Sequence, residues 1–259
     1  MKVKKQVNKE KQTIDLLSQI GKLLLQHGAE TELVESSIKN AASKLGCKDL
    51  AILIFPNAIM LSLPSSERIY NTQLYKAERQ DVNFRTLDKV IAIIEQIDTA
   101  TDMTKLLKEL HNEESLSSMY PYYLRNLMAG VGCGAFSLLF GGDLSIFLAT
   151  FFASALGFYL NSFLLKRYFN PFIAIILVSF STTISSGLLT LGNEMAHIAI
   201  ASSILFLVPS VAFINSVNDL TKRHYTTGLV RGVRGVIISF AIAIGISLAL
   251  HLLGVEKFL

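Results

Sequence analysis

Acidic residues are scarce in the second half of this 259-residue sequence. Of 20 acidic side chains, only Asp143, Glu194, Asp219 and Glu256 lie beyond residue 118. The same half contains several apolar stretches of about twenty residues, the length that crosses the hydrocarbon core of a bilayer. These two features predict a charged aqueous domain over residues 1–118 and a transmembrane domain over residues 119–259.

Other absences exclude whole classes of protein. Tryptophan is absent, so an aromatic belt at the membrane interface must be built from Tyr and Phe. The two cysteines, Cys47 and Cys133, lie in different halves, which argues against a disulfide and forms no metal-binding pattern. No Gly-rich phosphate loop, Cys/His cluster or nucleophile motif occurs. We therefore expect no enzyme activity, catalytic residue, metal, cofactor or nucleic-acid partner.

The first 118 residues predict a small α+β domain. Apolar residues recur at helical spacing over 9–45, and Gly28 predicts either a bend or a division into two helices. Strands are expected over 50–55, 58–63 and 69–76, and two amphipathic helices follow. Because no apolar segment follows the basic N-terminus, we expect no signal peptide and a cytoplasmic location for this domain.

Two charged groups in this domain have more than one interpretation. Glu30, Glu32 and Glu35 form either a solvated helix face, which we favour, or a metal or general-base site. The basic N-terminal run either contacts anionic lipid or forms a disordered tail. That run comprises Lys2, Lys4, Lys5, Lys9 and Lys11.

The second part predicts about five membrane spans. Their residues are 124–140, 144–165, 171–191, 196–217 and 229–253. The loops after spans two and four are basic, whereas 141–143 and 192–194 contain no Lys or Arg. Because Lys and Arg accumulate on the cytoplasmic side, the N-terminal domain is predicted inside and the C-terminus outside. The basic residues are Lys166 and Arg167, then Lys222, Arg223, Arg231 and Arg234.

The third span is rich in hydroxyl groups. Ser or Thr occupies six of the eight positions from 179 to 186. Such hydroxyls either bond back to carbonyl groups of their own helix or line a polar cavity suited to a small polar solute. The candidate path residues are Ser179, Thr182, Thr183 and Ser186. Small residues elsewhere, such as Gly130 and Gly134, indicate close helix packing or, alternatively, an unwound segment.

The fourth span contains Pro209 and ends near Asn215 and Asp219. Proline lacks a backbone donor and predicts a kink, and broken helices are where transporters place binding sites. Pro209 and Asn215 are therefore added to the candidate path. Asp219 is interpreted either as a structural partner of nearby cations or as a gating or proton-responsive group, with water within reach of its carboxylate. Arg231 is the cation assigned to the same role.

These residues carry a resemblance to a known family. The segment 207–232, LVPSVAFINSVNDLTKRHYTTGLVRG, resembles the signature of the threonine/serine exporter family. Residues 136–157 resemble that family's first membrane hairpin, and residues 27–38 its N-terminal cytoplasmic helix. The family positions of the signature correspond here to Pro209, Asn215, Asp219, Gly228 and Arg231.

The resemblance implies secondary export of threonine and serine, driven by the proton gradient. The complete transporter of that family has roughly twice as many spans, so this chain corresponds to the N-terminal half. In split members the second half is a separate small membrane protein, and some split members are associated with dicarboxylate export.

The sequence is thus interpreted as an α-helical integral membrane bundle preceded by a small α+β cytoplasmic domain, located in the plasma membrane. Its expected function is that of a subunit of a threonine/serine exporter. Expected partners are a small polar amino acid, a companion small integral membrane protein, the lipid bilayer and, as a further option, another copy of the chain. The alternatives are a dicarboxylate (succinate) exporter subunit and a membrane-anchored sensor or scaffold.

Overall fold

The computed structural model describes residues 2–47, 49–64, 70–77, 82–98, 103–115 and 120–254, with backbone only for 2–9, 70 and 113–115. The chain divides into two compact units. The first contains residues 1–119 together with 211–232, and the second contains 120–210 together with 233–259. The predicted division into an aqueous domain of residues 1–118 and a transmembrane domain of residues 119–259 stays a prediction. The inclusion of 211–232 in the first unit was not expected from the sequence.

Two helices open the first unit, α1 (Lys2–Gln26) and α2 (Thr31–Lys44). They are separated at Gly28, whose φ of +91° lies in the left-handed region that favours glycine. The predicted division of the 9–45 stretch is therefore found. The side chains of Lys2, Lys4, Lys5 and Lys9 lie outside the described residues, so the predicted lipid contact of this basic run stays a prediction.

A three-stranded antiparallel sheet follows, with strands β1 (Ala51–Phe55), β2 (Ala58–Pro64) and β3 (Tyr70–Lys76) in that order. Leu53 pairs with Met60, which pairs with Leu74 in the next strand. All three predicted strands are present, although Ile69, the first residue of the third prediction, lies outside the described residues.

Helices α3 (Phe84–Glu95) and α4 (Met103–Ser115) complete the N-terminal part of the first unit. The N-cap residue Asn83 begins α3 by accepting a hydrogen bond from the backbone N–H of Thr86 (3.2 Å). Apolar faces of the helices and of the sheet bury one continuous core. Its largest fully buried side chains are Ile14, Leu16, Leu17, Ile20, Leu23, Leu24, Leu25, Ile38, Ile59, Leu61 and Leu110.

The second unit is built from apolar helices. They are α5 (Tyr122–Leu139), α6 (Leu144–Lys166), α7 (Pro171–Leu189) and α8 (Ala196–Ser203), and a short 3₁₀ turn (Leu205–Leu207) follows them. Two further helices have residues in both units, α9 (Ser210–Thr221) and α10 (Tyr225–Leu253).

Helices α5 and α6 approach closely at two glycines. A Cβ placed on Gly130 would lie 3.1 Å from the carbonyl oxygen of Phe151, and one on Gly134 would lie 3.2 Å from that of Phe147. Helix α5 is continuous through both positions. The packing interpretation of these glycines is therefore supported, and the unwound segment considered as an alternative is not found.

The fourth predicted span, 196–217, is not one continuous helix. Regular helix ends at Ser203 and resumes at Ser210, with Pro209 in the break, because proline cannot donate the hydrogen bond that would continue the helix. The carbonyl oxygen of Leu205 is instead satisfied by the backbone N–H of Val208 (3.1 Å). Pro209 thus breaks this segment instead of only bending it.

Three of the described helices, α6, α7 and α10, are long and apolar enough to cross a membrane. The broken pair α8 and α9 makes a fourth if it is counted as one span. Helix α5, the first predicted span, is not among them, since Arg125 and Asn126 lie within its first two turns. The expected number of about five spans therefore stays a prediction, whereas a predominantly helical membrane protein with a small sheet is found.

Candidate functional site

Asp219, near the end of α9, is fully buried in the first unit. Its Oδ2 accepts a hydrogen bond from Nη1 of Arg231 (2.9 Å), and its Oδ1 accepts one from the backbone N–H of Thr31 (3.0 Å). Thr31 is the first residue of α2, so the carboxylate also lies at the positive end of that helix dipole. Both carboxylate oxygens are thus satisfied without water.

Arg231, near the start of α10, is buried together with Asp219. While Nη1 contacts the carboxylate, Nη2 donates to the backbone carbonyl oxygen of Ala29 (3.0 Å). Ala29 precedes Thr31 by two residues in the α1–α2 loop, which we define as residues 27–30. One guanidinium group therefore joins α9, α10 and this loop.

Three more side chains of 215–222 contact the same loop. Nδ2 of Asn215 donates to the carbonyl oxygen of Gly28 (2.8 Å), and Nδ2 of Asn218 donates to Oε2 of Glu30 (3.0 Å). Nζ of Lys222 donates to Oε1 of Glu30 (2.8 Å). We call the five residues Asn215, Asn218, Asp219, Lys222 and Arg231 the Asp219 cluster. Its common property is binding of the α1–α2 loop or of Thr31, the first residue of α2.

Lys222 also pairs with Glu32, so one ammonium group lies between two carboxylates. The hydrogen bonds to Glu30 and Glu32 raise the pKa of Lys222 above its usual range, and the hydrogen bond from Lys222 lowers the pKa of Glu32. Glu35 pairs with Lys39 instead (2.5 Å). The acidic cluster is therefore neutralised by lysines, and the described part of the chain contains no group of three or more His, Cys, Asp or Glu side chains that could hold a metal.

Gly228 allows α9 and α10 to approach each other at this cluster. A Cβ on Gly228 would lie 2.8 Å from a side-chain carbon of Leu220 and 3.0 Å from the carbonyl oxygen of Ser216. In turn, Oγ of Ser216 donates to the carbonyl oxygen of Gly228 (2.7 Å). A larger residue at position 228 would push the two helices apart and separate Asp219 from Arg231.

One expectation about Asp219 is wrong. The sequence places it at the end of a span beside several cations, which predicted a carboxylate within reach of water. The structure buries it completely, whereas its ion pair with Arg231 is one of the pairings with nearby cations considered from the sequence. Water is excluded by the α1–α2 loop and by α2, which lie far earlier in the chain. Thr31, for example, precedes Asp219 by 188 positions.

The second unit contains a group of buried hydroxyls without a protein partner. Thr182, Thr183 and Ser186 of α7 and Thr150 of α6 are buried, and their hydroxyl oxygens make no hydrogen bond. The three α7 residues recur at i, i+1 and i+4, which places them on one side of the helix. We call these four residues the hydroxyl cluster.

Other hydroxyls of α7 are satisfied by their own helix. Oγ of Ser179 donates to the carbonyl oxygen of Ile176 (3.1 Å), and Oγ of Ser185 donates to that of Ser181 (2.8 Å). The alternative of bonding to the helix's own carbonyl groups is therefore found for Ser179 and Ser185. A polar cavity lined by Thr182, Thr183 and Ser186 stays a prediction. Ser179, predicted as a path residue, belongs to the internally bonded set.

Glycines face these hydroxyl-bearing residues from two other helices. A Cβ on Gly157 of α6 would overlap the hydroxyl of Thr182, and a Cβ on Gly245 of α10 would overlap the hydroxyl of Ser179. Thr150, Ser154 and Gly157 recur at i, i+4 and i+7, which places them on one face of α6. Sequence reasoning did not include Thr150 in the candidate path, although this spacing is a signal that could have identified it.

The predicted site residues thus fall into two groups. Asn215, Asp219 and Arg231 lie together in the first unit, and Asn215 contacts the α1–α2 loop. Ser179, Thr182, Thr183 and Ser186 lie together in the second unit, and Pro209 marks the helix break there.

Comparison with known proteins identifies the family. The family model described as "Putative threonine/serine exporter" matches residues 15–253, which include both groups of residues. The chain belongs to the threonine/serine exporter family. The resemblance seen in the sequence is therefore confirmed.

Two curated relatives of this threonine/serine exporter family member carry the name "Probable succinate transporter subunit YjjP". The protein from Escherichia coli (strain K12) is 31% identical over 256 residues, covering 97% of this chain and 98% of its own length. The protein from Klebsiella aerogenes is 32% identical over 241 residues, covering 90% and 91%. No solved structure matches the chain.

Family membership and the apolar helices together support a multi-pass membrane protein of a transporter family, and both reported relatives are named as probable transporter subunits. The Asp219 cluster contains three of the five signature residues, Asn215, Asp219 and Arg231. A fourth, Gly228, lies outside the cluster and permits the close approach of α9 and α10.

Proposed function

We propose that this chain is one subunit of a secondary exporter of small polar amino acids, threonine and serine, driven by the proton gradient. The observation that carries the proposal is the hydroxyl cluster. A buried hydroxyl without a partner costs free energy, so a functional role is a reason for its presence. Threonine and serine offer an ammonium group, a carboxylate and a hydroxyl, all of which bond to hydroxyl side chains.

Export of succinate is the second candidate, and a specific observation favours it. Both relatives described above, 31% and 32% identical over 97% and 90% of this chain, are named as probable succinate transporter subunits. A dicarboxylate needs compensating cations. In the described apolar helices, the Lys and Arg residues are Arg125 near the start of α5, Lys166 at the end of α6, and Arg231 and Arg234 within the first ten residues of α10. The neutral hydroxyl cluster therefore suits the amino acids better, and membership of a transporter family favours either solute over a sensor or scaffold.

The Asp219 cluster is the gate in this proposal. Asp219 accepts from the Thr31 amide at the start of α2, and Arg231 donates to the Ala29 carbonyl oxygen of the α1–α2 loop, so the pair holds the loop together with the first residue of α2. Arg231 and Gly245 lie on the same helix, α10, and Gly245 packs against Ser179 of α7. Because the hydroxyl cluster is closed to solvent, transport requires a rearrangement. Release of the loop, which frees the start of α10, is the rearrangement that we assign to opening.

The proposal includes a companion subunit, in line with the word "subunit" in the relatives' name. The test measures efflux from cells preloaded with labelled threonine, serine or succinate. The cells express this chain, a small four- or five-span membrane protein encoded beside it, or both. We expect faster efflux of threonine and serine only when both are present. Full efflux from this chain alone in liposomes would contradict the need for a companion, and faster efflux of succinate alone would establish the second candidate.

The proposed orientation places the N-terminal domain in the cytoplasm and the C-terminus outside, because the basic loops are expected inside. Reporter fusions after Asn170 and Arg223 are expected to give cytoplasmic signals, and fusions near Asp143 and Asn193 external signals. Each fusion is to be made with a phosphatase and with a fluorescent reporter, which are active on opposite sides. Inverted signals at two of the four sites would rule out the five-span topology.

A further inference from the structure

An apolar cavity of about 520 Å³ lies at one end of the second unit. It is lined by Tyr120, Leu124, Arg125, Met128 and Phe158, so that Arg125 is its single charged wall residue among those described. This volume lies in the range of pockets that bind small ligands. Tyr120 and Met128 are more than half exposed, so the cavity is open to molecules that surround this unit.

Two cations converge beside this cavity on the ring of Tyr122. Cζ of Arg125 lies 5.9 Å from the ring centroid, and Nζ of Lys166 lies 5.2 Å from it. The same ring stacks on the cavity wall, with its centroid 6.1 Å from that of Phe158 and an interplanar angle of 26°. Tyr122 thus joins the cationic group to the cavity.

These cations have no acidic partner in the described part of the chain. The ion pairs of that part involve other residues, and neither Arg125, Lys166 nor the adjacent Arg167 is among them. Tyr122 begins α5 and Lys166 ends α6, so the uncompensated charge lies at helix ends, where a span meets the membrane surface. Basic residues that only determine membrane topology need no adjacent cavity. The cavity beside Arg125 and Lys166 therefore distinguishes this site from an ordinary basic loop.

We propose that this cavity and its cations form a binding site for one anionic glycerophospholipid. The phosphate of the headgroup lies between Arg125 and Lys166, and an acyl chain fills the cavity along Leu124, Met128 and Phe158. Charge complementarity selects an anionic headgroup, because two cations lie within reach and no carboxylate offsets them. The apolar walls select a lipid over a free phosphate ion.

The test uses the purified full-length chain with dioleoylphosphatidylglycerol or dioleoylphosphatidylcholine in a non-ionic detergent. Native mass spectrometry is expected to show one retained phosphatidylglycerol, and thermal unfolding to shift upward with phosphatidylglycerol more than with phosphatidylcholine. The double variant Arg125→Gln with Lys166→Gln is expected to bind phosphatidylglycerol about 30-fold more weakly. Lys39→Gln, which removes a cation elsewhere, is the matched control and is expected to bind like the wild type.

A second variant separates the cavity from the charge. Met128→Trp keeps both cations but fills the cavity, and it is expected to lose the retained lipid. Unchanged lipid binding in either variant, or equal stabilisation by inorganic phosphate and phosphatidylglycerol, would overturn the proposal. Equal retention of phosphatidylcholine would do the same, because it would show a bulk lipid effect without headgroup selection.

Discussion

Replacing Thr182 and Thr183 by Val and Ser186 by Ala together is expected to impair solute export severely while leaving the amount of folded protein near normal. Under the proposed function these hydroxyls bond to the solute. A lost hydrogen-bond partner costs about 1–3 kcal/mol, which corresponds to a roughly five- to hundredfold loss of affinity. The fold loses no internal hydrogen bond, because none of the three hydroxyls has one in the structure.

The expected change in thermal stability distinguishes a loss of solute binding from a loss of folding. Removing a buried hydroxyl that has no partner relieves a desolvation cost, and Val has nearly the shape of Thr. Thermal stability is therefore expected to stay equal or to rise while transport falls. The half-saturation concentration and maximum rate of efflux, measured at matched membrane abundance, report the loss.

Ser185→Ala is the matched control on the same helix. Its hydroxyl donates to the Ser181 carbonyl oxygen at 2.8 Å and is therefore already satisfied within α7. This control is expected to transport like the wild type. If the triple variant kept normal half-saturation and rate, its three hydroxyls would have a packing role only.

Replacing Asp219 by Asn is expected to reduce the amount of folded protein markedly. Arg231 would keep a buried positive charge with only the Ala29 carbonyl oxygen as a strong partner. Breaking a buried ion pair by removing one partner costs roughly 3–5 kcal/mol. Adding Arg231→Gln to the variant is expected to recover part of this loss, since the uncompensated charge is then removed as well.

Hydrogen exchange and efflux separate the structural role of Asp219 from a gating role. In Asp219→Asn the amide of Thr31 is expected to exchange faster, because its acceptor has lost its charge. As a gate or proton-responsive group, Asp219 would also alter how efflux depends on pH at matched abundance. Superimposable pH curves with normal activity per molecule would make Asp219 purely structural. Glu35→Gln, which breaks a more exposed ion pair with Lys39, is the control and is expected to change little.

Sequence patterns predicted the local features of this fold because those features depend on nearby residues. Gly28 divides the first helical stretch, and its left-handed φ explains why a glycine marks the division. Pro209 predicted a kink in the fourth span, and the structure has a complete break of the helix there. The strands were predicted by apolar runs on either side of Pro56 and Asn57.

The surroundings of Asp219 were not predictable in the same way. Its local sequence shows only adjacent amides and cations, which is also the pattern of an exposed helix end. Burial is produced by Thr31 and Ala29, which are about 190 residues distant in the chain. No periodicity connects positions so far apart.

The hydroxyls of α7 illustrate a second limit. Composition predicted their number, but the side-chain torsion of each residue decides whether it bonds to its own helix. Ser185 does so and Ser186 does not, although they are neighbours in sequence and have identical chemistry. The sequence pattern therefore did not predict which of these hydroxyls bond to their own helix.

The discontinuous first unit has a consequence for biosynthesis. Its two parts are separated by residues 120–210, which are 91 residues. At a synthesis rate of about 5–20 residues per second, roughly 5–18 s elapse before the ribosome begins the second part. During that interval the backbone groups of Gly28, Ala29 and Thr31 lack the partners that α9 and α10 supply. The N-terminal segment therefore finishes folding only after most of the apolar helices have been made, and a fragment ending at residue 119 would stop at this incomplete stage.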